Sequence, residues 1–194
     1  MTISDEVSRS EADIQWLDKQ IDGLEVKADD RSRLAASLLD MAHEHHKAIV
    51  LLIVHKLTGS AFALIRLLFE SYIRGVWLHR SASQVEIAAF KAEKLDKKFK
   101  DLVSAVETLD GFESGVLSDT QKRSWKALNS FTHGGFAQAV RRITEKTIEA
   151  NYDTDEIIEA LRFSRALGFL TAIAVADLAG NVKLANDVLQ RAKQ

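Results

Sequence analysis

The chain has 194 residues, of which 46% are apolar and 28% charged, and a formal net charge of −2. That length and balance describe one globular domain of ordinary size, and they exclude a disordered chain or a strongly basic protein that coats nucleic acid. The chain holds no cysteine and no proline, which excludes disulfides, thiolate metal sites, a cysteine nucleophile and proline kinks.

The first six residues, Met1 to Glu6, lack the basic-then-apolar pattern of a signal peptide. No uninterrupted apolar run reaches the ~18 residues of a membrane span. A soluble, cytoplasmic protein with no membrane partner is expected. Helical periodicity then runs almost the whole length. A first helix is predicted over 4–22, ending at Asp22-Gly23. Asp29 and Asp30 cap a second, to about residue 57. Thr58-Gly59-Ser60 reads as a turn, and a third helix follows over 61–79. Ser83 caps a fourth, predicted to run to about residue 109, where Asp110-Gly111 breaks it. Ser118 and Asp119 cap a fifth, which Gly134-Gly135 stops, since glycine readily takes the left-handed conformation that closes helices. Residues 136–148 fit a short helix and a loop. A sixth helix starts within 151–154 and runs to about 179, and a short terminal helix follows over 182–193.

Two of these helices decide the architecture. The third carries Phe62, Leu64, Ile65, Leu67, Leu68, Phe69, Ile73, Val76, Trp77 and Leu78, and is apolar on nearly every side. The sixth is nearly so. A helix that is apolar all round must be covered all round. The expectation is an all-α fold: an antiparallel bundle of four core helices with short flanking helices. One domain spans 1–194, with its core in about 30–180 and the first and last helices as appendages. The surplus of apolar surface predicts a homodimer.

Within the third helix, Arg66, Glu70 and Arg74 stand four residues apart and fall within about an 80° arc of the wheel. They form either an ion-pair ladder at the rim, contributing a few tenths of a kcal/mol per pair, or a partly buried polar layer. The layer would need neighbours, and a helix ending in Asn129 and His133 can supply them. His43, His45, His46 and His55 cluster on the second helix without a second ligand motif, so a solvated or interfacial face is expected, and no metal. His79 reads as a cation at a helix C-terminus.

The stretch Leu128-Asn129-Ser130-Phe131-Thr132-His133-Gly134-Gly135 has two readings. It is a well-capped helix end, with Ser130 and Thr132 bonded to free carbonyls. It is also what metal-free RNA chemistry needs: a histidine near neutrality to move a proton, a cation to hold the phosphate, and a polar residue to orient either. A polar residue followed by x-x-x-His late in an all-helical chain of this size resembles the HEPN superfamily, helical bundles with an Arg-x(4–6)-His motif. The pairing of Ala61, Leu64, Arg66 and Glu70 with a later Asn-x-x-x-His-Gly is similar to uncharacterised bacterial families placed near it. The resemblance implies a metal-independent RNase without cofactor, working as a dimer. This chain departs from the motif, because Leu128 occupies the position of the arginine. Lys126 offers the longer register, and Arg66 or Arg74 can bring the cation from the third helix.

Two functions are therefore expected. The first is a binding or interaction protein whose polar pocket holds RNA or a nucleotide, in a defence or toxin–antitoxin setting with an antitoxin-type protein partner. The alternative is an endoribonuclease with His133 as general acid/base, Asn129 orienting, and Lys126 with Arg66 on the phosphate. Glu70 and Arg74 complete the binding layer.

Overall fold

The computed structural model describes residues 2–194. Among them stand nine helices and no strand. These are α1 (Ile3–Ile21), α2 (Asp30–Val54), α3 (Thr58–Arg80), α4 (Gln84–Lys91), α5 (Phe99–Glu107), α6 (Val116–Thr132), α7 (Phe136–Val140), α8 (Thr154–Leu178) and α9 (Val182–Ala192). The all-α class follows directly from the periodicity.

Local chemistry starts several helices where the sequence places them. The Asp29 carboxylate accepts the Ser32 amide at 2.9 Å and opens α2. Ser83 and Glu86 form a reciprocal capping box on α4. Each such cap satisfies amides that a helix N-terminus leaves without partners.

Helix α3 is the axis of the molecule. Its face against α2 is closed at Gly75, where a Cβ would come within 2.8 Å of the Leu39 side chain. Phe69, Tyr72, Ile73 and Trp77 are all buried on it. Helices α2, α5, α6 and α8 each pack on α3, which covers the all-round apolar surface that the sequence demands. A second, smaller cluster joins Leu17 of α1 and Phe169, Ala172 and Ala176 of α8 to Leu184 and Val188 of α9. Both terminal helices thus dock on α8.

Three boundaries differ from expectation. Thr58-Gly59-Ser60 is not a turn but the first turn of α3. The chain reverses at His55 to Leu57, with Lys56 left-handed at φ 60°. Gly59 is there for close approach, since a Cβ would sit 3.0 Å from both Gln138 Nε2 and Tyr152 Oη. The predicted helix over 83–109 is two helices. Residues 92–98 between them carry a dense run of charge and no apolar stripe. Lys97 of that link reaches Glu86 Oε1 at 2.6 Å and lies 5.2 Å from the Trp77 ring. Helix α6 begins before Ser118, with Gly115 left-handed at its N-cap. The Ser118 amide bonds Glu107 Oε1 of α5 at 2.8 Å, so the cap comes from a neighbouring helix. After α7, Ile143 and Ile148 form an isolated antiparallel bridge.

Candidate functional site

Arg66, Glu70 and Arg74 form a layer, not a rim ladder. Glu70 is only 8% exposed. Its Oε1 accepts from Arg66 Nε at 2.7 Å, and its Oε2 accepts from Arg74 Nη1 at 2.5 Å. One carboxylate thus fixes two guanidiniums one helical turn to either side. Each guanidinium also lies over an aromatic ring. Arg66 stands 4.8 Å from the Trp125 ring and Arg74 5.7 Å from Phe99. The two rings stack on each other at 4.7 Å with 10° between their planes. This plate of Trp125 and Phe99 orients both cations and partly desolvates them.

His133 closes the arrangement from α6. Its backbone amide caps the helix onto Asn129 O at 3.0 Å, and Gly134 turns left-handed at φ 64°. The imidazole is exposed, and Arg66 Nη1 donates to its Nε2 at 2.8 Å. A guanidinium has no lone pair to offer, so Nε2 is the acceptor and the ring's proton sits on Nδ1. In this contact Nε2 faces the cation with its lone pair. Two guanidiniums and one carboxylate leave this cluster with one net positive charge.

The other polar residues of the stretch hold its shape. The single hydroxyl proton of Thr132 is shared between Leu128 O at 2.9 Å and Ala63 O at 3.2 Å, which ties the end of α6 to α3. Ser130 does not bond a free carbonyl through its side chain. Its Oγ accepts the Ala137 amide at 2.9 Å, and Gly135 is required beside it, where a Cβ would lie 2.6 Å from that oxygen. Asn129 lies half-buried one turn before His133, and Lys126 is exposed. Neither makes a side-chain hydrogen bond or ion pair within the described residues. The structure thus joins Arg66, Glu70, Arg74 and His133, and leaves Lys126 and Asn129 outside the bonded cluster. Trp125 and Phe99 escape sequence reasoning. The available signal was spacing, because Trp125, Asn129 and His133 repeat at four residues along one face of α6.

On the opposite face of α6 runs a groove of about 620 Å³ toward α8. Phe62, Ile65, Leu128, Phe131 and Phe163 are among its lining residues. Arg141 pairs with Glu156 there and lies 5.2 Å from the Phe131 ring. The hydrogen bond from Arg141 holds the Glu156 carboxyl below its usual range.

Of the solvated and interfacial alternatives for these histidines, His43 and His46 lie at interfaces between helices, His45 is half-buried, and only His55, just past the end of α2, is exposed. His43 is buried and reaches Asp18 Oδ1 at 2.6 Å through Nε2. His46 is fully buried, with Nδ1 2.8 Å from Ser164 Oγ and its ring seated on Gly168. Burial pushes its pKa down to about 3. The polar pattern concealed these contacts because their partners lie on α1 and α8. His79 faces Asp177 Oδ2 at 3.2 Å, yet burial holds its pKa below the usual imidazole value, which opposes the predicted cation.

Residues 39–194 match the model of a family of unknown function, DUF6988. The chain belongs to this family. No curated protein and no solved structure matches it. The DUF6988 segment begins within α2, so it contains every member of the Arg66–His133 cluster and excludes α1.

Among the described residues, no helix is long and apolar enough to cross a membrane.

Proposed function

We propose that this chain is a HEPN-like helical bundle that binds single-stranded RNA through Arg66, Arg74 and His133. The observation that carries this reading is the 2.8 Å contact between Arg66 Nη1 and His133 Nε2. It pairs the histidine of α6 with a cation from α3, where Leu128 leaves the short motif without its arginine. Arginine suits a phosphodiester because its planar fork can bridge two phosphate oxygens. Glu70 and the aromatic plate hold that fork in place before any ligand arrives, which lowers the ordering cost of binding. Lys126, exposed on the same helix as His133, extends the positive field along the strand. A homodimer and an antitoxin-type protein partner belong to the same proposal.

A second reading, metal-independent cleavage, is favoured by the tautomer. Once Arg66 turns from His133 to the phosphate, the released Nε2 lone pair can take the proton of a ribose 2′-OH as that oxygen attacks phosphorus. The P–O5′ bond then breaks, the 5′-oxygen takes up a proton, and a 2′,3′-cyclic phosphate remains. Arg66 would stabilise the charge gathering on the phosphoryl oxygens, and Asn129 would orient the strand.

Fluorescence anisotropy with a labelled 20-nucleotide RNA tests the binding reading. Arg66→Ala/Arg74→Ala should weaken binding at least tenfold and flatten its salt dependence by about 1–2 in logarithmic slope. Unchanged affinity and slope would overturn the reading. Cleavage of the same RNA and of tRNA in EDTA, lost in His133→Ala, would establish the second reading. Absence of cleavage by the wild type would remove it and leave binding alone.

A further inference from the structure

The N-terminus of α3 presents donors without acceptors. No side chain caps the helix, and no acidic residue stands in its first turn. The amides of Ser60 and Ala61 reach Leu57 O at 3.0 and 3.1 Å. Those of Thr58 and Gly59 have no acceptor within the described residues, although both residues are buried. Buried amides without a partner are rare, because each has given up its bond to water. Thr58 is only 7% exposed, and its hydroxyl makes no hydrogen bond within the described residues either. Side chains lean toward the N-terminus of their helix, which sets this hydroxyl at the same end as the two amides.

Arg142 stands at this end too. Its backbone is pinned twice, by its own amide on Ala139 O at 3.0 Å and by the Glu149 amide on its oxygen at 2.9 Å. Its Nη2 lies 3.3 Å from the position of a Cβ on Gly59, and Gln138 Nε2 and Tyr152 Oη lie 3.0 Å from the same point. Gln138 donates to Gly59 O at 2.9 Å and Tyr152 donates to Gln138 at 3.0 Å, so these two are satisfied by each other and by the helix. The Arg142 guanidinium is not, since no hydrogen bond or ion pair engages it within the described residues. A cation without a counter-charge at the positive end of a helix dipole is unfavourable. Exposed Lys56, two residues before Thr58, adds charge of the same sign. An anion offsets all of these at once, and a helix N-terminus with free amides is a ready-made place for one.

We propose that the N-terminus of α3 is a phosphate-monoester site, held by the Thr58 and Gly59 amides, the Thr58 hydroxyl and the Arg142 guanidinium. A terminal phosphate carries close to two negative charges and three strong acceptor oxygens. It matches this set of donors better than a carboxylate, which brings one charge and two oxygens. The site shares no residue with the Arg66–His133 cluster and does not rest on the RNA reading. Gly59 and Arg66 lie about 10.5 Å apart along α3 and within about 20° around it. A strand whose 5′-phosphate sits at Gly59 can therefore run on toward Arg66, while a free nucleotide or inorganic phosphate offers the same end group.

The test follows the amide resonances of the full, isotope-labelled chain as inorganic phosphate is added at constant ionic strength. The Thr58 and Gly59 amides should move downfield together and saturate in the millimolar range. Arg142→Gln, at an exposed side chain that bonds nothing, should fold normally and weaken this binding at least fivefold. Thr58→Val removes only the hydroxyl and should weaken it at least twofold. Unmoved Thr58 and Gly59 amides would overturn the proposal, as would equal affinity in the wild type and Arg142→Gln. Oligo(U) of 20 nucleotides, with and without a 5′-phosphate, then distinguishes the sources. A 5′-phosphorylated strand that moves both amides at far lower concentration than inorganic phosphate assigns the end of an RNA. One that binds no tighter than inorganic phosphate assigns a small phosphate ligand. Phosphate shifts that persist while Arg66→Ala/Arg74→Ala leaves RNA affinity unchanged would remove the first site and keep this one.

Discussion

Glu70 works as the clamp of its layer, because a single carboxylate neutralises and aims two guanidiniums. Glu70→Ala would leave Arg66 and Arg74 facing each other with no anion between them. The expected loss is about 2–4 kcal/mol of unfolding free energy, at or below the range for fully buried pairs because the arginines keep some contact with water. Urea denaturation reads it directly, and a change under 0.5 kcal/mol would return these residues to a solvated rim. The spacing of 66, 70 and 74 already contained this layer, since ion pairs at four residues are visible in any helix. Its link to His133 was open in the sequence, because nothing local says which face of α6 meets α3. Lys126 looked equally eligible on spacing alone. Packing chose Arg66, through Thr132 bonded to Ala63 O and Trp125 lying beneath the guanidinium.

At the scale of elements, helix existence was legible and helix ends were less so. Periodicity reports a buried face, which a long helix must have whatever surrounds it. Ends depend on partners that are distant in sequence. Gly59 looks like a breaker yet lies inside α3, because the backbone there must admit Gln138 and Tyr152. The start of α6 is the clearest case. Ser118 is the residue that propensity nominates, whereas Glu107 of α5 supplies the acceptor. Glu107→Ala should therefore cost about 1 kcal/mol, the usual loss of an N-terminal cap. Ser118→Ala should change stability by less than about 0.5 kcal/mol, as at an ordinary surface position. Thermal melts of the two variants side by side decide between them, and the reverse ranking would restore the sequence-based cap.

For the whole molecule, acid stability should be set largely by one ring. His46 stays neutral in the fold because burial holds its pKa near 3, with His43 and Arg165 adding to the effect and Asp13 and Asp18 opposing it. Free histidine titrates near 6.5, so below that pH the unfolded chain binds a proton that the native chain refuses. The stabilisation is complete above about pH 6.5 and falls as pH drops toward 3, by up to about 1.4 kcal/mol per unit. His79 adds a term of the same sign. Asp18 is pushed up by burial, but the hydrogen bonds and charges of His43 and Lys47 outweigh this and lower its pKa. Its contribution is present above about pH 4 and lost in stronger acid. Melting curves between pH 7 and 4.5 should show a falling midpoint for the wild type and a flatter profile for His46→Gln. Equal slopes would mean that His46 titrates normally.

The docking of α1 on α8 also fixes an order of events in time. Asp13 and Arg165 touch across 152 positions of sequence. A ribosome adding about 5–20 residues per second makes α1 first, then needs roughly 8–30 s to reach its partners. Throughout that interval the helix waits in water. With Glu6, Ser10 and Asp13 beside Leu17 in its inward stripe, the helix exposes less apolar surface while it waits than a stripe of leucines would. Nascent chains halted near residue 150 should lose α1 to brief proteolysis, and chains extruded past residue 194 should keep it.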